Sequence, residues 1–250
     1  MPESTPHRSP QDGMGRDFRT THWSIVALAG QQDSEAASHA LESLCRGYWY
    51  PIFAYLRHRG HDPYQAEDLT QAFFTRLLEK NYLASADRER GRFRTFLLAA
   101  LNHFLANEWN RSQAQKRGGG CQFISLEYAR EQDEHSLQLG HDLTPERVFE
   151  RRWAETVLAK VLDRLQSEFD GATIKRFQVL KPFLTEDKGS QSYAEAAAHL
   201  QLTEAAVKSA IHRLRLRWRE LMREEIAHTL HSTSPQEVDN EIRHLISALD

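Results

Sequence analysis

Between Ala205 and Arg223, six cations (Lys208, Arg213, Arg215, Arg217, Arg219 and Arg223) face one anion, Glu220, a local charge of +5 in a chain whose formal total is −3. Val207, Ile211, Leu214, Trp218 and Leu221 are interleaved with them at spacings of four and three. That period puts the apolar residues on one buried helix face and leaves the cations the rest of the circumference. A ridge of ammonium and guanidinium groups has phosphate as its obvious counter-charge. Just upstream, Ser192 with Glu195 makes a capping box, each side chain satisfying an exposed backbone donor. Tyr193, Ala194, Ala197 and Leu200 form a small-residue packing face, and Leu202 and Thr203 break the helix, with Thr203 as N-cap of the next. Two helices with such a step match the helix-turn-helix arrangement, whose second helix lies in the major groove. An ordinary helical hairpin with a solvated cationic face has the same pattern and stays open as a reading.

Charge is segregated elsewhere too. From Arg88 to Arg117, seven cations (Arg88, Arg90, Arg92, Arg94, Arg111, Lys116 and Arg117) oppose Glu89 and Glu108, a local +5. From Asp62 to Glu79, Asp62, Glu67, Asp68 and Glu79 oppose Arg76, a local −3, and the tail from Glu224 to Asp250 carries a local −5. Two basic blocks flanked by acidic ones point to a molecule that touches nucleic acid at two places and a protein partner elsewhere.

Other chemistries find little support in the residues. Glu67 and Asp68 near a helix start are favoured by the macrodipole without any function, and no nearby His, Ser or Cys arrangement gives them a catalytic partner. No catalytic set, no metal site and no cofactor is expected. Cys45 and Cys121 form neither a CxxC nor a Cys/His cluster, which argues against a disulfide framework and a structural zinc site and fits a reducing cytoplasm. No run of 18 apolar residues suits a membrane span, and the Pro-, Ser- and Arg-rich residues 1–17 read as a disordered leader.

The elements that position these residues are helical. The chain has 250 residues, 40% hydrophobic and 27% charged, enough for one sizeable core or two smaller ones. Asp62, Pro63 and Gln65 open a helix with apolar Leu69, Phe73, Leu77 and Leu78. A second runs from about Arg92 to Arg111, with a core stripe of Phe93, Phe96, Leu97, Ala100, Phe104 and Leu105. Near its end, Trp109, Asn110 and Arg111 precede Lys116 and Arg117, where aromatic and amide groups beside cations suit stacking on unpaired bases; for Trp109, core packing competes with base contact. Gly118, Gly119 and Gly120 end this unit, and a polar stretch follows in which only Gln122 to Leu126 alternates like a strand. Thr144 and Pro145 then start the second unit as N-cap and N1 proline. The expected fold class is all-α, two small helical domains joined by a flexible linker, the C-terminal one a helix-turn-helix.

With those residues in view, a family resemblance is apparent. Ala66-Glu67-Asp68-Leu69-Thr70-Gln71, followed by Phe74, Leu77 and Leu78, resembles the AEDLVQ-type signature of bacterial RNA polymerase sigma factors of the sigma-70 family, extracytoplasmic-function class. The segment from Phe93 to Asn102 is similar to the family's next motif, and Tyr193 to Arg215 resembles its C-terminal helix-turn-helix. The three motifs in order cover about 150 residues. The resemblance implies a non-enzymatic specificity factor that joins core RNA polymerase, recognises promoter DNA and assists strand opening. Its partners are then the core enzyme and promoter DNA, with an anti-sigma or other regulatory protein as a further partner open to the class, and no membrane. By position, Glu67, Asp68 and Gln71 match the segment that docks on core polymerase. Asn102 matches the family's asparagine in the promoter-opening helix, and Trp109, Asn110, Arg111, Lys116 and Arg117 fall in the part that reads the −10 element. Lys208, Ser209, His212, Arg213 and Arg215 match the helix that enters the groove at the −35 element. The alternative is a stand-alone helix-turn-helix regulator that never binds polymerase.

The implied organisation is a leader (1–17), a region-two-like domain (18–117), a linker (118–143), a region-four-like domain (144–231) and an acidic amphipathic C-terminal helix (232–250). Several positions depart from the family pattern. Thr70 replaces an aliphatic residue, Phe96 a tryptophan, Leu101 an arginine, Ala210 a groove-reading arginine and Gln201 the glycine of the turn. In the last segment, Ser234, Pro235 and Glu237 make another helix start, and Val238, Ile242, Leu245 and Leu249 form a narrow apolar stripe. It reads either as a helix folding back on the second domain or as a regulatory helix shielding the basic surface.

Overall fold

A computed structural model of the chain describes residues 35–79, 92–115, 143–185, 192–230 and 234–250. The leader, the Gln122 to Leu126 alternation and all but the last residue of the 118–143 linker lie outside the described residues. Those described are predominantly helical, with no strand among them. In chain order they form α1 (Glu35–His58), α2 (Pro63–Glu79), α3 (Phe93–Gln115), α4 (Pro145–Ser167), α5 (Gly171–Leu180), the single turn α6 (Pro182–Thr185), α7 (Tyr193–Leu200), α8 (Glu204–Thr229) and α9 (Pro235–Leu249). No helix among them is long and apolar enough to cross a membrane.

Most helix starts are those legible in the sequence. Asp62 Oδ1 accepts from the Gln65 amide at 2.9 Å and opens α2. Thr144 accepts from Arg147, with Pro145 at the first helical position of α4. Ser192, Thr203 and Ser234 cap α7, α8 and α9 through the amides of Glu195, Ala206 and Glu237. Each such cap satisfies one of the orphan donors of a helix terminus and contributes about 1 kcal/mol. Helix α1 continues through Pro51, which has no N–H to give the carbonyl of Gly47. Burial of Pro51 and of Ile52 through Leu56 beyond it holds the helix on course.

Helix α4 is the hub. Its buried residues Phe149, Trp153, Val157, Val161 and Leu165 form a long apolar face, and it packs against α1, α8 and α9. The contact with α1 is the most extensive between any two described helices. Tyr48, Ile52, Phe53 and Leu56 of α1 therefore belong to one hydrophobic core with α4, and Phe93, Leu97 and Leu101 of α3 belong to it as well. Tyr48 meets Phe93 edge to face at 5.4 Å, and Phe73 of α2 meets Phe104 at 5.7 Å. Full burial of a large apolar side chain contributes about 1.5–3 kcal/mol, so a core drawn from both ends of the chain holds those ends together. The two expected helical units are thus in contact through α1 and α4.

Left-handed backbone occurs at three described residues, Gly60, Gln201 and Gly171 (φ 41°), and the first two make the turns into α2 and α8. Between α1 and α2, Gly60 has φ +92°, a conformation glycine adopts without penalty. Between α7 and α8 the same role falls to Gln201, at φ 53° and ψ 42°, which carries a Cβ into a region disfavoured by roughly 1–2 kcal/mol. Gln201→Gly should therefore raise stability by about 0.5–1 kcal/mol, the relief exceeding the added freedom of the unfolded chain. Gly60→Ala should lower it by about 1 kcal/mol. Urea-unfolding midpoints of the two variants, read against the parent, check both signs.

Candidate nucleic-acid interface

Helix α8 sorts its side chains by its two faces. Val207, Ala210, Ile211 and Leu214 are buried in its first half, which turns Ser209, His212 and Arg213 outward on one face at helical spacing. Leu216 (44% exposed) and Arg219 continue that stripe toward the middle of the helix. Lys208 is exposed and flanks it, its Nζ 3.6 Å from Glu204 and 5.3 Å from the centre of the Tyr193 ring. Tyr193 in turn stacks on Phe183 at 5.2 Å. Ala210, at a position where the family resemblance suggested a groove contact was missing, is core.

The other cations of the ridge serve the fold. Arg215 is half-buried and donates to the Phe183 carbonyl at 2.9 Å, closing the end of the α6 turn. Arg217 grips Glu168 with three contacts of 2.6–3.0 Å and Glu220 with one of 3.0 Å. These bonds hold the Glu168 carboxyl below its usual range and push the Arg217 guanidinium up. Arg223 pairs with Asp239 of α9. Of the six cations counted along the sequence, Arg213 and Arg219 are exposed with no ion pair among the described residues. The sequence-expected set Lys208, Ser209, His212 and Arg213 is gathered on the start of α8; Arg215 stands apart from it.

Helix α3 carries a second candidate face. Phe93, Leu97, Leu101 and Phe104 are buried, so Leu101 is a core residue. Opposite them, Thr95, Ala99, Asn102, Ala106 and Trp109 line up at spacings of four and three, all exposed. Trp109 is 67% exposed, which removes core packing as its role. Two turns before it, Asn102 Oδ1 accepts from the Tyr55 hydroxyl and from Arg59 Nη1, each at 2.9 Å. Tyr55 also lies 3.4 Å from Glu146, in the first turn of α4. Asn110 and Arg111 continue the same helix; their side chains, like Lys116 and Arg117, lie outside the described residues.

Of the three acidic-helix residues, Asp68 is half-buried and Gln71 exposed, while Glu67 is 8% exposed and faces inward. Thr70 is buried and donates its hydroxyl to the Ala66 carbonyl at 2.6 Å, which satisfies in the core the polar atom that an aliphatic residue would not have.

The charged cluster that sequence reasoning missed lies under α3. Arg94, 2% exposed, donates to Glu150 of α4 at 2.6 Å and to Glu241 of α9. Its guanidinium sits 4.2 Å from the Trp153 ring, and Arg92 Nε approaches the other oxygen of Glu241 at 2.8 Å. His244 stands 3.2 Å from Glu150. Burial pulls the Arg94 guanidinium down from its ordinary value and Glu150 opposes the shift. Its one-dimensional signal was there: Glu241 falls three residues after Val238 and four before Leu245, inside the apolar stripe of α9. Helix α9 packs on α4 and α8, the fold-back arrangement. No group of three or more His, Cys, Asp and Glu residues among the described residues is placed to hold a metal ion. Compared with known proteins, the chain matches no family model, no curated protein and no solved structure.

Proposed function

We propose that this chain is a sigma-type specificity factor, which joins core RNA polymerase, recognises promoter DNA with two helical modules and assists strand separation. The observation that carries this reading is the outward face of Ser209, His212 and Arg213 at the start of α8, directly after the Gln201 turn and the Thr203 cap. In a helix-turn-helix the N-terminal residues of the second helix meet base edges in the major groove, and Lys208 at the rim suits phosphate. The second support is the exposed Asn102 to Trp109 face of α3, which carries an amide and an indole, side chains of the kind that meet bases once strands part. Asp68 and Gln71 then supply the polymerase-facing patch on α2, Glu67 contributing from its buried position to the shape of that helix. Such a factor would act in the cytoplasm, without an enzymatic activity of its own.

One observation favours a second reading. Helices α1 and α4 join the two halves in one core, which suits a stand-alone helix-turn-helix regulator that binds DNA without polymerase. The purified chain, mixed with core polymerase and a supercoiled genomic library, separates the two: a sigma factor yields promoter-specific transcript starts, a regulator yields DNA binding without starts.

Single substitutions assign the surfaces. Arg213→Ala should weaken promoter binding by about 1–3 kcal/mol where the side chain reads a base, or lower the salt slope by about 1 where it neutralises a phosphate; titrations over a series of salt concentrations distinguish these. Asp68→Lys should weaken association with core polymerase, measured by pull-down or fluorescence anisotropy, while DNA binding without polymerase is unchanged. If both variants behaved as the parent in both assays, the surface assignments would be wrong.

A further inference from the structure

We infer that α9 is an intramolecular clamp, which holds the two halves of the chain shut through the buried Arg94–Glu241 pair and thereby restrains the activity proposed above. The inference rests on that proposal for its consequence and on the structure for its mechanics. Arg94 belongs to α3, Glu150 to α4 and Glu241 to α9, so a single guanidinium ties three helices from both halves of the chain. A buried cation is tolerated only while compensating carboxylates remain in place. In the shut form Arg94 has two, on opposite helices, and Arg92 adds a second cation against Glu241. In an opened form Arg94 stands in water and needs neither. Glu241 therefore stabilises the shut form selectively, and α9 is fixed over the junction by packing on α4 and α8 and by the Arg223–Asp239 pair.

One feature connects shutting with restraint. Helix α9 is bonded to both helices that carry the proposed DNA-reading faces, to α3 through Glu241 and to α8 through Asp239, and Tyr55 of α1 reaches Glu146 of the second half at 3.4 Å. In the shut form the two faces therefore keep one fixed relation, and a promoter that engages them in any other requires Glu241 to leave Arg94.

The test uses the full chain with Cys45 and Cys121 replaced by serine and spin labels on Arg46→Cys and Gln178→Cys, exposed positions outside the proposed binding surfaces. The parent should give one short inter-label distance by double electron–electron resonance. Glu241→Gln should add a long, broad population, with the ratio of shut to open molecules falling roughly tenfold or more, and promoter-specific transcripts at sub-saturating protein should rise severalfold. Circular dichroism and a cooperative melt establish that the variant is folded. An unchanged distance distribution in folded Glu241→Gln overturns the clamp. Should that variant lose its fold, Arg92→Ala decides, because it weakens the hold on Glu241 without burying a bare charge: a smaller shift toward long distances supports the clamp and none overturns it. Longer distances with transcription unchanged or reduced overturn the restraint. Longer distances with no transcripts from parent or variant leave the clamp standing and remove the sigma reading instead.

Discussion

One buried guanidinium organises the described part of this molecule. Arg94 sits at the start of α3, over the Trp153 ring and between the carboxylates of Glu150 and Glu241. Burial is strongly unfavourable for an isolated charge, and removing one partner from such a cluster destabilises by about 3–5 kcal/mol. The apolar contacts around it, Tyr48 with Phe93 and α1 with α4, are non-directional and tolerate sliding. The ion cluster does not, because a guanidinium satisfies carboxylates only in its own plane. It therefore sets the relation of α3, α4 and α9, while the surrounding core supplies the bulk of the stabilisation.

The same economy governs the cations of α8. A count along the sequence finds a ridge of +5, yet Arg217 is bound to Glu168 and Glu220, Arg223 to Asp239 and Arg215 to a backbone carbonyl. The first half of the helix presents chemistry to the outside, and the second half fastens the helix to α4 and α9. What is left outward is a patch around Lys208, Ser209, His212 and Arg213, with Arg219 farther along, rather than a continuous rail. The left-handed turn at Gln201 and the cap at Thr203 set the direction in which α8 leaves α7, and so where this patch faces.

Helix α3 divides its circumference in the same manner. Four core residues fix its azimuth, and the opposite stripe from Thr95 to Trp109 is left to solvent. Asn102 joins the two functions, exposed on the stripe and hydrogen-bonded to α1 through Tyr55 and Arg59. A packing contact and a candidate binding group thereby meet in one side chain, and any motion that frees the amide loosens α3 from α1.

Much was legible before any coordinates. Helical period, the caps Asp62, Thr144, Ser192, Thr203 and Ser234, and the apolar stripes of α3 and α8 follow from interactions between residues a few positions apart, and such interactions are written in the local sequence. The outward placement of Ser209, His212 and Arg213 was legible for the same reason, since burial of Val207 and Ile211 dictates what the opposite face holds. Long-range pairing was not legible. That Arg94 turns inward while Arg213 turns outward, that Glu67 is buried while Gln71 is exposed, and that Trp109 is outside the core depend on which helix arrives from a distant part of the chain. Arginine is compatible with either environment, and its fate is decided by whether carboxylates such as Glu150 and Glu241, 56 and 147 positions away, are delivered to it. The sequence by itself determined the helices and their faces, because these are local; only the tertiary structure decided which charges hold the molecule together and which remain for a partner, because electrostatic compensation is a property of space and not of order along the chain.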